Sequence, residues 1–144
     1  MFKVADAENT MVTFSFEKLD AYIYARELVK GIYELQRAFP KEEMFALGSQ
    51  VRRAAASITA NIAEGCGRSS AKEKIHFIEI AFGSLTEAFS ELQIAQDLSY
   101  ITEDELNNLR PQFSLVARIL TGLRKSYDDS PNPKPKTSND PLKS

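Results

Sequence analysis

Gln50-Val51-Arg52-Arg53-Ala54-Ala55-Ala56-Ser57-Ile58-Thr59-Ala60-Asn61-Ile62-Ala63-Glu64-Gly65 reads as one helix with two usable faces. Met44, Leu47, Val51, Ala54, Ile58 and Ile62 recur at spacings of three and four, which stacks them along one apolar stripe. Gln50, Arg53, Ser57, Asn61 and Glu64 form a polar stripe beside it. Ala55, Ala56, Ala60 and Ala63 fill the space between, so little bulk projects from the middle of the helix. A helix that is small or apolar most of the way round is buried on several sides. The polar stripe then needs hydrogen-bonding partners, because unpaired polar groups are costly to bury. The polar stripe is therefore expected to serve subunit contacts.

The other stripes are simpler. A first helix is expected from about Glu17 to Phe39, with Ala21, Ala25, Leu28, Ile32, Leu35 and Phe39 on one face and Pro40 closing it. The second spans about Glu42 to Glu64, with Gly65 and Gly67 as its flexible stop. The third opens with a capping box, Ser70 with Glu73, and carries Ile75, Ile78, Phe82, Leu85, Phe89 and Leu92 to about Leu98. The fourth opens with Thr102 and Glu105 and carries Leu106, Leu109, Phe113, Val116, Leu120, Leu123 and Tyr127. Its stripe keeps phase across Pro111, which predicts a kinked helix rather than two. No strand pattern occurs. Helices of roughly 22 to 28 residues are about 33 to 42 Å long, and short loops between them predict an all-α, antiparallel up-down-up-down four-helix bundle.

The 144 residues fit one domain. The expected division is a flexible start over 1–13, the bundle over 14–127 and a disordered tail over 128–144, rich in Pro, Lys, Ser, Asn and Asp. A net charge of -2 argues against a surface wholly devoted to binding polyanions, although not against a local patch. Cys66 is the single cysteine, which excludes an intrachain disulfide and suits a reducing compartment. The first residues lack the pattern of a signal peptide, and no apolar run is long enough to cross a bilayer. A cytoplasmic protein is expected.

No enzyme constellation emerges. His76 is the only histidine, so a metal helix with two histidines is impossible. Cys66 lies between two glycines beside Arg68, with no base near it in sequence, and reads as a loop cysteine. The run Gly65-Cys66-Gly67-Arg68-Ser69-Ser70 resembles a phosphate loop but lacks a preceding strand and the Lys-Ser/Thr pair. The acids Glu103, Asp104 and Glu105 suit a helix N-terminus. No cofactor and no metal are expected.

The cations are less evenly spread. Arg52, Arg53, Arg68, Lys72 and Lys74 are opposed over their stretch only by Glu64 and Glu73. A hairpin of the second and third helices gathers Arg68, Lys72 and Lys74 at one bundle end, beside the free amides at Ser70, where phosphate groups are well received. The competing reading is a solvated end with ion pairs, such as Arg53 with Glu64 of a neighbouring subunit. Tyr22, Tyr24 and Tyr33 are placed to stack on bases or, more ordinarily, to pack the first helix.

The series Phe16-x-x-Leu19, Phe39-Pro40-x-Glu42-Glu43, Gln50-Val51-Arg52-Arg53-Ala54-Ala55-x-Ser57-Ile58-x-x-Asn61-Ile62-Ala63-Glu64-Gly65, Arg68 and Ala81-x-Gly83-Ser84-Leu85-x-Glu87 resembles the bacterial four-helix-bundle family of 23S rRNA intervening-sequence proteins. The resemblance covers about Phe14 to Tyr127. It implies a four-helix bundle assembling into a ring-shaped homopentamer, and its name implies no activity. A more distant likeness is to the accessory protein of diversity-generating retroelements, a basic pentamer that binds a reverse transcriptase and nucleic acid; this chain is mildly acidic instead. It also carries Phe89 where family members often have leucine, and Cys66 where they often have an aromatic residue. Two readings stay open. One is a non-enzymatic oligomer that contacts RNA or DNA through Arg52, Arg53, Arg68, Lys72 and Lys74. The other is a protein-interaction scaffold without a nucleic-acid role, in which Gln50, Arg53, Ser57, Asn61 and Glu64 hold subunits or a protein partner.

Overall fold

A computed structural model describes residues 11–129; the expected flexible start up to residue 10 and the expected tail from residue 130 lie outside the described residues. Four α-helices follow one another: α1 (Asp20–Gln36), α2 (Leu47–Cys66), α3 (Ala71–Asp97) and α4 (Glu103–Asp128). Short 3-10 turns at Ser15–Lys18 and Lys41–Glu43 precede α1 and α2, and no strand occurs among the described residues. Each helix packs on two neighbours, in the cyclic order α1, α2, α3, α4 and back to α1, and the contact of α2 with α3 is the most extensive.

The core is the sum of the apolar stripes. Leu28, Ile32, Val51, Ile58, Ile62, Ile78, Leu92, Val116 and Leu120 are fully buried. Burying one such side chain contributes about 1.5–3 kcal/mol, which makes these residues the main stabilising element of the fold.

Three boundaries depart from expectation. The first helix ends at Gln36 rather than Phe39, because Ala38 and Phe39 bond to carbonyls three residues back and Pro40 excludes helical geometry before it. Phe39 stays buried, its ring 5.6 Å from that of Tyr100. The second helix begins at Leu47, so Met44 is not on its apolar stripe and is 46% exposed. A Glu43 carboxylate oxygen accepts from the Leu47 N–H at 3.2 Å and ends the preceding turn there. The stop after α2 uses no glycine conformation: Gly67 has φ -87° and Gly65 lies inside the helix.

Gly65 has another reason to be glycine. A Cβ there would lie 2.9 Å from the Phe77 Cβ and 3.2 Å from the Lys74 carbonyl. The position is small because α3 crosses it closely.

At the start of α3 only half of the expected capping box forms: Ser70 accepts from the Glu73 N–H at 3.1 Å, with no return bond from Glu73. The Thr102–Glu105 box at α4 is complete, with bonds of 2.8 and 3.1 Å. Pro111 sits within a single helix, and both it and Asn107 are exposed, so the carbonyl deprived of its N–H partner is open to water. Between α3 and α4, Ser99 takes a left-handed φ of 65°. Ser99 N–H then bonds to the Gln96 carbonyl and Tyr100 N–H to the Ala95 carbonyl, both at 2.9 Å, which closes the helix end.

The buried face of α3 is also rotated from the expected stripe. Ala81, Ser84, Leu85, Ala88 and Ala95 are buried, while Phe82 is 39% exposed and Phe89 half-buried. Small residues face α2 and let it approach; the phenylalanines are displaced to the seam with α4, where Phe89 and Phe113 meet edge-on at 5.1 Å.

Candidate functional site

The polar stripe of α2 runs along its seam with α3. Gln50, Arg53 and Glu64 are exposed, and Ser57 and Asn61 are half-buried. Asn61 donates to the Ser57 carbonyl at 2.8 Å and to its hydroxyl at 2.9 Å, and the buried Ser84 hydroxyl of α3 donates to the same Ser57 oxygen at 2.8 Å. Two of the five expected interface residues are thus partly engaged inside the bundle.

Beside this network, Arg53 of α2 faces Glu91 of α3. Burial of the Glu91 carboxyl, then the charge of Glu87 one turn before it and a hydrogen bond shared with that side chain, push its pKa up to about 7, against the opposing pull of Arg53. One Glu91 carboxylate oxygen is buried without a hydrogen-bond partner among the described residues. Nothing in the residue spacing marks Glu91, since a glutamate on a helix is ordinarily solvated. Ser84 had a signal: it lies in register with Ala81 and Ala88 along a row of small residues.

The five expected phosphate-contacting cations fall into two groups. Arg52 and Arg53 lie in the first half of α2, whereas Arg68, Lys72 and Lys74 surround the turn between α2 and α3. The 16 residues from Arg52 to Arg68 correspond to about 24 Å along a helix. Arg52 donates to the Met44 carbonyl at 2.8 Å. Arg68 pairs with Glu64 of the same chain and lies over the Phe77 ring at 4.8 Å, while its Nε is buried without a hydrogen bond among the described residues. Lys74 donates to the Cys66 carbonyl at 2.9 Å, capping the end of α2, and lies 5.3 Å from the Tyr127 ring centre. Arg53 and Lys72 make no ion pair among the described residues.

Cys66 is half-buried, with its sulfur 3.5 Å from the Ser15 hydroxyl. Burial first, and the nearby Cys66 second, raise the pKa of Tyr127 above its ordinary value of 10.0. His76 is exposed, its ring against Phe77. No group of three or more His, Cys, Asp or Glu residues is arranged to hold a metal ion among the described residues, and no helix among them is long and apolar enough to cross a membrane.

Four consecutive helices packed in cyclic order, with a polar seam between the second and third, define an all-helical bundle protein. The model of the family described as 23S rRNA-intervening sequence protein matches residues 17–122, and the chain belongs to that family. A crystal structure similar in fold is that of a protein of unknown function from the S23 ribosomal protein family of Bacteroides thetaiotaomicron VPI-5482. It superposes with a TM-score of 0.67 at 22% identity, over 73% of this chain and 98% of the other. No curated protein matches the chain.

Proposed function

We propose that this protein is a non-enzymatic, cytoplasmic scaffold whose antiparallel up-down-up-down bundles assemble into a homo-oligomeric ring, a homopentamer as the family resemblance implies. The pairs Cys66–Lys74 and Ser57–Ser84 support alternating helix directions, since numbers fall along α2 as they rise along α3. The observation that carries the scaffold reading is the unpaired Glu91 oxygen beside the exposed Arg53. A buried polar oxygen without a partner is costly in a lone chain, and a donor from a second copy at the α2–α3 seam satisfies it. Gln50, Arg53, Ser57, Asn61 and Glu64 contribute the polar side of that contact.

Native mass spectrometry of the purified chain tests this directly. A defined oligomer that Arg53→Ala or Asn61→Ala weakens is the expected result; a monomer across the working concentration range overturns it.

Nucleic-acid contact is the second reading, favoured by Lys72 and Arg68 standing beside the start of α3. Of the five cations, Arg52, Arg68 and Lys74 already have partners within the chain, so the charge left for phosphates is small. Binding of structured RNA or duplex DNA should be detectable at low salt and fall steeply toward physiological salt. Absence of any mobility shift at low salt sinks this reading and leaves the scaffold.

A further inference from the structure

Phe45 is 89% exposed, an unusual setting for a phenylalanine in an ordered turn. The turn that carries it is pinned from several directions. Backbone bonds run from Glu43 to Pro40, from Met44 to Lys41 and from Ala46 to Glu43, at 2.9–3.1 Å. The Glu43 carboxylate holds the Leu47 N–H and, at 2.7 Å, the Tyr100 hydroxyl of the α3–α4 connection. Arg52 reaches back to the Met44 carbonyl. Gly48 is buried under the turn, where a Cβ would lie 2.8 Å from the Glu43 carbonyl. The chain therefore holds a large apolar ring in water on a rigid mount. Preorganisation of this kind lowers the entropy lost on binding.

Along the α3–α4 seam, lined by residues of those two helices and by none of the α1–α2 connection, lies an open groove of about 320 Å³. Phe82, Leu85, Phe89 and Phe113 give it an apolar floor, and the guanidinium of Arg110 lies 4.7 Å from the Phe89 ring centre. Arg110 is exposed and makes no ion pair among the described residues. Glu42, three residues before Phe45, is exposed as well. An exposed apolar ring with an acid near it on one surface, and an apolar groove with a base beside it on the other, are complementary in polarity and charge.

We propose that Phe45 of one copy of this chain seats in the α3–α4 groove of the next. The knob and the groove share no residue and are different surfaces of the molecule, so the contact is head-to-tail, the type that generates rings when the rotation closes. The inference rests on the self-assembly reading above and adds to the polar contact at the α2–α3 seam an apolar anchor between successive copies. One phenyl ring is an anchor, since a stable contact takes about 800 Å² from each partner. Glu42 against Arg110 and the exposed Met44 beside Phe45 extend it.

The test uses the full chain with two single variants, Phe45→Ala and Ser90→Trp, both at exposed positions, the second placing a bulky ring at the groove. Circular dichroism melts check that each variant folds. Losing an anchor of this kind should weaken assembly by about 30-fold, so each variant alone should run as a monomer by light scattering where the natural chain is assembled. Mixed one to one, they should form a dimer and nothing larger, because only one intact knob and one intact groove meet. A natural chain that assembles while folded Phe45→Ala keeps the same mass overturns the Phe45 contact and leaves self-assembly standing. So does a mixture of folded variants that stays monomeric. A monomeric natural chain overturns both.

Discussion

The hydroxyl of Ser84 donates to that of Ser57 across 2.8 Å, joining α3 to α2 at a point where both side chains are small. Ser57 also accepts from Asn61 at 2.9 Å, so one oxygen serves two donors from two helices. Ser57→Ala leaves the buried Ser84 hydroxyl without its acceptor, and a loss of about 1–3 kcal/mol is expected; Ser84→Ala should cost about 1 kcal/mol. Urea denaturation at fixed protein concentration measures both. The double variant should lose less than the sum, because the second change removes a group the first had already stranded.

Gly65→Ala replaces a poor helix former with the best one, a gain of roughly 1 kcal/mol for an exposed site. Here the added methyl meets Phe77 and the Lys74 carbonyl, so overpacking by about 1–3 kcal/mol should dominate. Gly122→Ala is the control: a Cβ there meets no atom within 4 Å beyond its chain neighbours and the backbone of its own helix, and the thermal midpoint should rise. If both variants stabilise, the close approach of α3 to Gly65 is wrong.

Ser99 holds a left-handed backbone at φ 65°, which costs a residue with a Cβ about 1–2 kcal/mol. Ser99→Gly removes most of that strain while keeping the two bonds that close α3. A net stabilisation of about 0.5–1 kcal/mol is expected, read as a higher urea midpoint with an unchanged slope.

Glu91 sets a pH dependence with a definite sign. Its pKa rises from an ordinary 4.5 to about 7 on folding, so the folded chain binds more protons than the unfolded chain between those values. Its contribution is therefore fully present below about pH 4.5 and is lost as pH rises through 7. The melting temperature of the natural chain should fall from pH 5 to pH 7 relative to Glu91→Gln, which removes the titration. Parallel curves for the two proteins would refute the assignment.

The helical stripes were legible in the sequence because periodicity reports burial directly. Leu28 and Ile32, Val51 and Ile58, and Val116 and Leu120 all lie where spacing places them. Met44 failed because its spacing fits the stripe while Glu43 redirects the chain before the helix begins. Phe82 and Phe89 failed differently. Hydrophobicity ranks them above Ala81, Ser84 and Ala88, but close helix packing selects small residues, and the small ones took the buried face. The site was harder to read. Glu64 lies four residues before Arg68, a helical ion pair visible in the sequence, and Arg68 is the partner it has within the chain. The Glu91 environment depends on the rotation of α3 and leaves no trace in spacing.

The two sides of α3 should respond to mutation with opposite sign. Along α2 its neighbours are Gly65, Ser57 and its own Ala81, Ser84 and Ala88, where there is almost no volume to remove and nearly every change adds atoms. Along α4 the Phe89–Phe113 contact has the reverse character, since nearly every change removes atoms and leaves a void. A saturation library across this one helix should therefore select for an upper limit of side-chain size on one edge and a lower limit on the other. Drift of the sequence would be confined between those limits, with the helix itself unchanged.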